Sequence, residues 1–185
     1  MFTFHVRQRI RCSFINSIAM YCLSLSAFAA PSSDKQFCVV SLQGTSSLQN
    51  TRKMQIPGLE DHFLELSQYK MPLTTKSTQG KACLDVEFIE ATGIFTTDDV
   101  DHEGSLSGYL ILATKKGDQL IFKAEGSSFK THLSDDANYI MIGKVQTGTG
   151  DLKNVQGNFR RKGTFNEANK KHSSDLFEVR YRVAD

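Results

Sequence analysis

Period-two alternation of apolar and polar side chains recurs along this chain and dictates its fold class. Leu84, Val86 and Phe88 alternate with Cys83, Asp85 and Glu87. Leu120, Phe122 and Ala124 alternate with Ile121, Lys123 and Glu125. Phe177, Val179, Tyr181 and Val183 alternate with Leu176, Glu178, Arg180 and Arg182. Tyr139, Met141 and Val145 flank Gly143, and Phe159 and Phe165 share a face with Gly163. Successive residues of a strand face opposite sides of a sheet, so each segment predicts a half-buried β-strand. Helical periodicity is almost absent. The stretch from Asp61 to Lys70, bracketed by Pro57 and Pro72, fits a helical turn or a strand. Short, evenly spaced strands imply an antiparallel barrel or a sandwich. Apolar faces that mix Phe with Gly and Ala favour a small closed antiparallel β-barrel with a tapered interior, an all-β fold.

The punctuation agrees. Lys115-Lys-Gly-Asp118 is a turn joining Tyr109–Thr114 to Gln119–Gly126 as a hairpin. Thr96–Gly104, Ser127–Ala137 and Asn166–Ser174 read as polar connections. In Thr147–Gly157, Gly148, Gly150 and Gly157 punctuate a tight strand-to-strand crossing, with Leu152 and Val155 spaced to plug a barrel end. Leu110-Ile111-Leu112 is apolar on both faces, which calls for a second layer, a partner subunit or a lipid against its outer side.

The N-terminal thirty residues read as an address. Arg7, Arg9 and Arg11 precede an apolar run from Phe14 to Phe28, and Ala27-Phe28-Ala29 has the small-x-small form of an export cleavage site. Residues 1–29 are therefore expected to be a signal peptide and 30–185 a single barrel domain, periplasmic or secreted. Ala19-Met-Tyr before Cys22 is a poor lipidation box, and no apolar run is long enough to span a membrane comfortably. Of 22 basic side chains, three leave with the signal, against 20 acidic ones that stay. The mature chain is near neutral and offers no electrostatic reason to bind nucleic acid. It keeps two cysteines, Cys38 and Cys83, which an exported protein is expected to join as a disulfide. The lack of Trp argues against carbohydrate binding by ring stacking.

Gly117-Asp118-Gln-Leu-Ile-Phe122, Glu125-Gly126, and Gly148-Thr-Gly150 through Gly157 resemble the allene oxide cyclase-like barrel proteins. The match runs from about Gly104 to Phe165, with Thr147 and Leu152 departing from the usual Gly and aromatic. Its residues are turn formers, so the resemblance implies a fold and a cavity for an apolar or amphipathic small molecule. It carries over no catalytic residue.

Chemistry-bearing motifs are sparse. Asp99, Asp101, Glu103 and Gly104 begin like a calcium loop, but Leu110 occupies the position of the closing Glu, leaving a weak metal candidate beside the reading of an acidic solvated hairpin tip. His62, His102, His132 and His172 show no zinc spacing. Gly104-Ser-Leu-Ser-Gly108 lacks the strand-to-helix setting of a nucleophile elbow, and Gly148-Thr-Gly150 lacks the Lys and helix of a phosphate loop. No cofactor is implied. Arg161 stands out, because alternation with Phe159, Gly163 and Phe165 sends it inward unless a bulge turns it to solvent. There a structural ion pair or a ligand carboxylate could hold it, with Tyr109, Tyr139 and Tyr181 as candidate hydrogen-bonding neighbours. The absence of a convergent catalytic set favours binding of a small apolar or amphipathic ligand, or of a protein partner. Two alternatives stand beside it. One is an isomerase or cyclase acting on a fatty-acid-derived substrate, with Arg161 orienting a carboxylate. The other is a secreted effector or inhibitor acting through the Thr96–Gly104 loop.

Overall fold

The computed structural model describes residues 37–100, 103–130, 136–166, 171–173 and 176–184. The expected signal peptide and its cleavage site lie outside them. The described chain is all-β: β1 (Cys38–Gln43), β2 (Thr45–Gln55), β3 (His62–Pro72), β4 (Thr74–Gln79), β5 (Phe88–Val100), β6 (Glu103–Thr114), β7 (Gln119–Lys130), β8 (Ala137–Gly148), β9 (Val155–Asn166), β10 (Lys171–Ser173) and β11 (Leu176–Val183). The segment that fits either a helical turn or a strand is the strand β3.

Eleven strands in one sheet become eight staves once the bends are followed. β1 and β2 are one stave bent at Gly44, and β3 and β4 are one stave bent at Leu73. Their pairing runs through both bends in one register, Gln43 facing Thr74 and Ser47 facing Lys70. β10 and β11 likewise form one stave, since both pair with β9 and with the two halves of the β1–β2 stave. The staves then follow one another around the ring, β3–β5–β6–β7–β8–β9, and β10 and β11 close it against β2 and β1. The ring closes where β10 pairs with both β9 and β2, which removes most of the edge that open sheets expose, while β4 is paired on its β1 side only among the described residues. Gly44 permits the first bend, because a Cβ there would run into the Pro72 carbonyl oxygen.

Alternation sorts the side chains as expected. Leu110, Leu112, Leu120, Phe122, Phe159, Phe177 and Val179 point inward and are buried, while Lys123, Glu125, Lys144 and Arg160 point outward and are exposed. An apolar interior and a charged exterior are the reverse of a membrane-spanning barrel. No helix among the described residues is long and apolar enough to cross a membrane. Ile111 faces outward between the buried Leu110 and Leu112 and is half-buried within the wall.

The two ends of the barrel differ. At one end, Phe122, Phe159 and Phe177 stack edge to face, with ring centroids 5.1 Å and 5.9 Å apart. The crossing predicted at Thr147–Gly157 caps this end with a 3₁₀ turn at Gly150–Leu152, and Leu152 is fully buried as the plug. The turn docks on the neighbouring hairpin. Gln119 N–H donates to Thr149 Oγ1 at 2.8 Å, and Asp151 N–H donates to the Asp118 carboxylate at 3.2 Å. Gly150, at φ 51°, occupies the left-handed region beside that carboxylate, where a side chain would be both strained and obstructed. The Gly-Asp and Gly-Thr-Gly elements of the sequence are thus two halves of one cap. Segment 80–87 completes it: Cys83 forms the disulfide with Cys38, and the Leu84 N–H donates to the Tyr181 hydroxyl at 3.0 Å.

Candidate functional site

The opposite end is hollow. Inward positions there are held by Gly104, Gly126, Ser128, Ala137 and Gly163, where the capped end has Phe and Leu. The space left is a cavity of about 250 Å³. It falls just below the usual range for ligand sites, roughly 300–1,000 Å³. Its walls carry Leu48, Phe95, Leu106, Tyr139, Met141 and Phe165 as the main apolar surface. Polar groups enter from Ser46, Thr51, Tyr69, Thr97, Ser128 and Asn138, and charge from Lys53, Glu65, Asp99 and Arg161.

Arg161 lies deepest of the charged groups and is 6% exposed. Strand β9 runs through it without a bulge, Arg161 facing Met141 on β8 and Phe177 on β11, so the pleat directs it inward. Its guanidinium rests 5.0 Å from the Tyr139 ring centroid and 5.7 Å from that of Phe177, and Nη2 lies 3.5 Å from Met71 Sδ. Burial pulls its pKa below the ordinary guanidinium value; a hydrogen bond to the Tyr139 hydroxyl and the nearby Tyr69 work in the other direction. A guanidinium still keeps its proton at neutral pH. The result is a fixed cation under an apolar bore, in a medium where electrostatic interactions are strong.

The other sequence candidates scatter. Tyr139 joins Arg161 in the cavity. Tyr109 does not: alternation turns it out of β6, and it is 49% exposed. Tyr181 is fully buried at the capped end, where it accepts the Leu84 N–H. Burial raises the pKa of its phenol, and that hydrogen bond lowers it.

The acidic stretch is corrected. Thr96–Gly104 is not a solvated loop; β5 continues to Val100 and β6 begins at Glu103. Asp99 faces the cavity and is 9% exposed, while Glu103 is exposed on the outer face opposite Val100. The pleat sends these two carboxylates to opposite sides of the wall, so they do not converge on a metal. Asp101 and His102 lie outside the described residues, as does His132. Among the described residues no group of three metal-ligating side chains occurs. Asp98 points outward and meets His62 Nε2 at 2.6 Å.

Sequence reasoning missed Asp99, Tyr69 and Phe95 as wall residues. The signal was present for Phe95 and Asp99, which keep period two with Ala91 and Gly93, but the acidic run masked it.

No protein-family description matches this sequence, and no curated protein matches it. Among solved structures the chain is similar to the pterocarpan synthase dirigent protein. The likeness has a TM-score of 0.47 and 14% sequence identity, over 90% of this chain and 100% of that one.

Proposed function

We propose that this is an exported barrel that binds a small amphipathic carboxylic acid in its open end, holding the molecule without transforming it. The observation that carries this is Arg161, a cation nine-tenths buried at the floor of an apolar cavity that opens to one side. A carboxylate entering tail-outward meets a preorganised guanidinium with fork geometry, and its hydrocarbon body meets Phe95, Leu106 and Met141. The Cys38–Cys83 disulfide supports an oxidising compartment, and with it the export signal. The fold-level resemblance of the two docked turns to allene oxide cyclase-like barrels points the same way, toward an apolar or amphipathic ligand.

The test is calorimetric titration of the disulfide-bonded protein with octanoic acid and with octanol. The acid binds at least tenfold more tightly, and Arg161→Met removes the difference. Equal affinities for acid and alcohol would sink the carboxylate reading.

One observation favours catalysis as a second reading. Asp99 faces the same hollow as Arg161, so an acid group is at hand to stabilise charge in an isomerase or cyclase reaction. Conversion of a bound acid to an isomer, lost in Asp99→Asn, would support it. The loop-borne inhibitor reading loses ground, since the barrel is hollow at its mouth and only two residues separate β5 from β6.

A further inference from the structure

We infer that the outer wall formed by β7, β8 and β9 docks on an anionic lipid surface. Lys123, Lys144 and Lys162 meet the headgroups, and Ile140 and Ile142 enter the boundary between headgroups and acyl chains. Nothing in this depends on what the open end holds.

The pleat decides which side chains the wall presents. It turns Lys123 and Glu125 outward on β7, Ile140, Ile142 and Lys144 on β8, and Arg160 and Lys162 on β9, all of them exposed. Four cations thus share the wall with one carboxylate. Arg160 is answered from the next stave, its Nε donating to the Glu178 carboxylate at 2.8 Å. Lys123, Lys144 and Lys162 make no ion pair among the described residues. The whole chain has 22 basic and 20 acidic side chains, so the excess is local to this wall. A one-signed patch on a nearly balanced chain attracts partners of the other sign.

Lys123 and Lys144 stand directly opposite one another across β7 and β8. Their Cβ atoms are then about 5 Å apart, and like charges so placed destabilise a sheet. Lysines often guard edge strands against unwanted pairing, but β7 and β8 are paired along both sides. An anion set over the pair relieves the repulsion. Tyr109 extends the same row, facing Lys123 from β6 and 49% exposed. Its ring with a polar tip suits a boundary that is apolar on one side and wet on the other.

The apolar side chains select lipid over a soluble polyanion. Ile142 is 62% exposed between Glu125 and Arg160, and Ile140 is 50% exposed beside Lys162. Phe129 lies diagonally from Ile140, one residue from the mouth end of β7. A soluble polyanion gains nothing from branched aliphatic chains. A bilayer interface takes both parts, the apolar chains below the headgroups and the cations among anionic ones. Because Phe129 and Ile140 lie toward the mouth, docking also brings the opening of the barrel beside the bilayer.

The experiment is sedimentation of the disulfide-bonded protein with vesicles of phosphatidylcholine alone and of phosphatidylcholine mixed with phosphatidylglycerol. The anionic vesicles bind at least tenfold more protein at low salt, and the difference closes at about 0.5 M sodium chloride. Lys123→Gln combined with Lys144→Gln lowers affinity for the anionic vesicles about fivefold or more, and Ile142→Ser about threefold. Lys76→Gln combined with Lys81→Gln removes the same charge on and beside β4 and leaves affinity within about twofold. Equal binding to the two kinds of vesicle, or none to either, overturns the inference. Equal losses in the two lysine pairs would show that net charge acts rather than this wall, and would overturn it as well. Binding of dextran sulfate, with vesicle affinity unchanged in Ile142→Ser, would make the partner a soluble polyanion and end the lipid reading.

Discussion

The capped and open ends of this barrel are built from the same staves with the same alternation, yet one is a solid core and the other a chamber. Along β9, Val155 and Phe159 fill the capped end, and Arg161 and Gly163 follow them toward the mouth. Along β7, Leu120, Phe122 and Ala124 give way to Gly126 and Ser128. The backbone is indifferent to this change. Side-chain volume alone decides whether an eight-stave barrel is filled or hollow. The capped end therefore carries the stability of the molecule and the open end can carry chemistry, because little of the core depends on it.

The comparison breaks if damage at the capped end proves mild. Phe159 contacts both Phe122 and Phe177, so Phe159→Ala removes two edge-to-face pairs and leaves a cavity. Such truncations cost about 3–5 kcal/mol. Urea unfolding followed by near-ultraviolet circular dichroism measures it, and a loss below about 1 kcal/mol would show that the fill does not hold the barrel. Next in size is the staple. Cys38→Ser opens a linkage spanning 45 residues of sequence and should cost about 2–4 kcal/mol under oxidising conditions. Adding reductant should bring the wild type to the same midpoint and leave the variant unmoved.

Smaller still is the buried phenol behind that staple. Tyr181→Phe leaves the Leu84 N–H without its acceptor, a loss of about 1–2 kcal/mol at neutral pH. The pH dependence gives this prediction its sign. Burial raises the phenol above its ordinary value of 10.0, so the unfolded chain releases this proton first. The contribution is complete below pH 10 and is lost as pH rises through the folded pKa, at up to about 1.4 kcal/mol per pH unit. The stability gap between wild type and Tyr181→Phe should accordingly narrow above pH 10. A gap that widens there would place the phenol in a setting that favours its anion.

How much of this could be read in the sequence follows the same division. The capped end was legible. Its strands bury Leu, Val and Phe on one face, so hydrophobic period two reports them directly, and its turns carry Gly and Asp where geometry demands them. The disulfide followed from two cysteines in a chain whose N-terminus reads as an export signal, and the inward turn of Arg161 followed from its neighbours. The open end was largely silent. β2 from Thr45 to Gln55 exposes most of its length and lines a hollow with Ser46, Leu48 and Thr51, so its inward face is not an apolar stripe. Asp98 and Asp99 lie in residue types depleted in strands, and they read as a loop although β5 runs through them. A binding chamber removes the apolar contrast on which pattern reading depends, so the signal fades where the function sits. Tyr109 lies in the outward phase opposite Leu110 and Leu112, whereas Tyr181 points inward but at the capped end. Period two tells which residues share a face of one strand, but not which end of the barrel they reach.

The sharpest form of the comparison is a substitution that should improve the protein at its open end. Arg161 is nearly buried, and desolvation of its guanidinium is the largest influence on its pKa. Taking a charge out of such a site removes its desolvation cost, and an apolar chain of similar reach keeps the packing. Methionine suits the space, since it is flexible and would lie against Met71, Tyr139 and Phe177, the groups that the guanidinium now touches. Arg161→Met should therefore raise stability by about 1 kcal/mol while weakening the affinity for octanoic acid at least tenfold. Paired urea unfolding and calorimetric titration check the two halves. A gain in stability with a loss of binding would identify Arg161 as a residue kept at a structural cost for its ligand. A fall in stability of several kcal/mol would instead make it part of the scaffold, and the division between a capped end that holds the fold and an open end that serves the ligand would have to be redrawn around it.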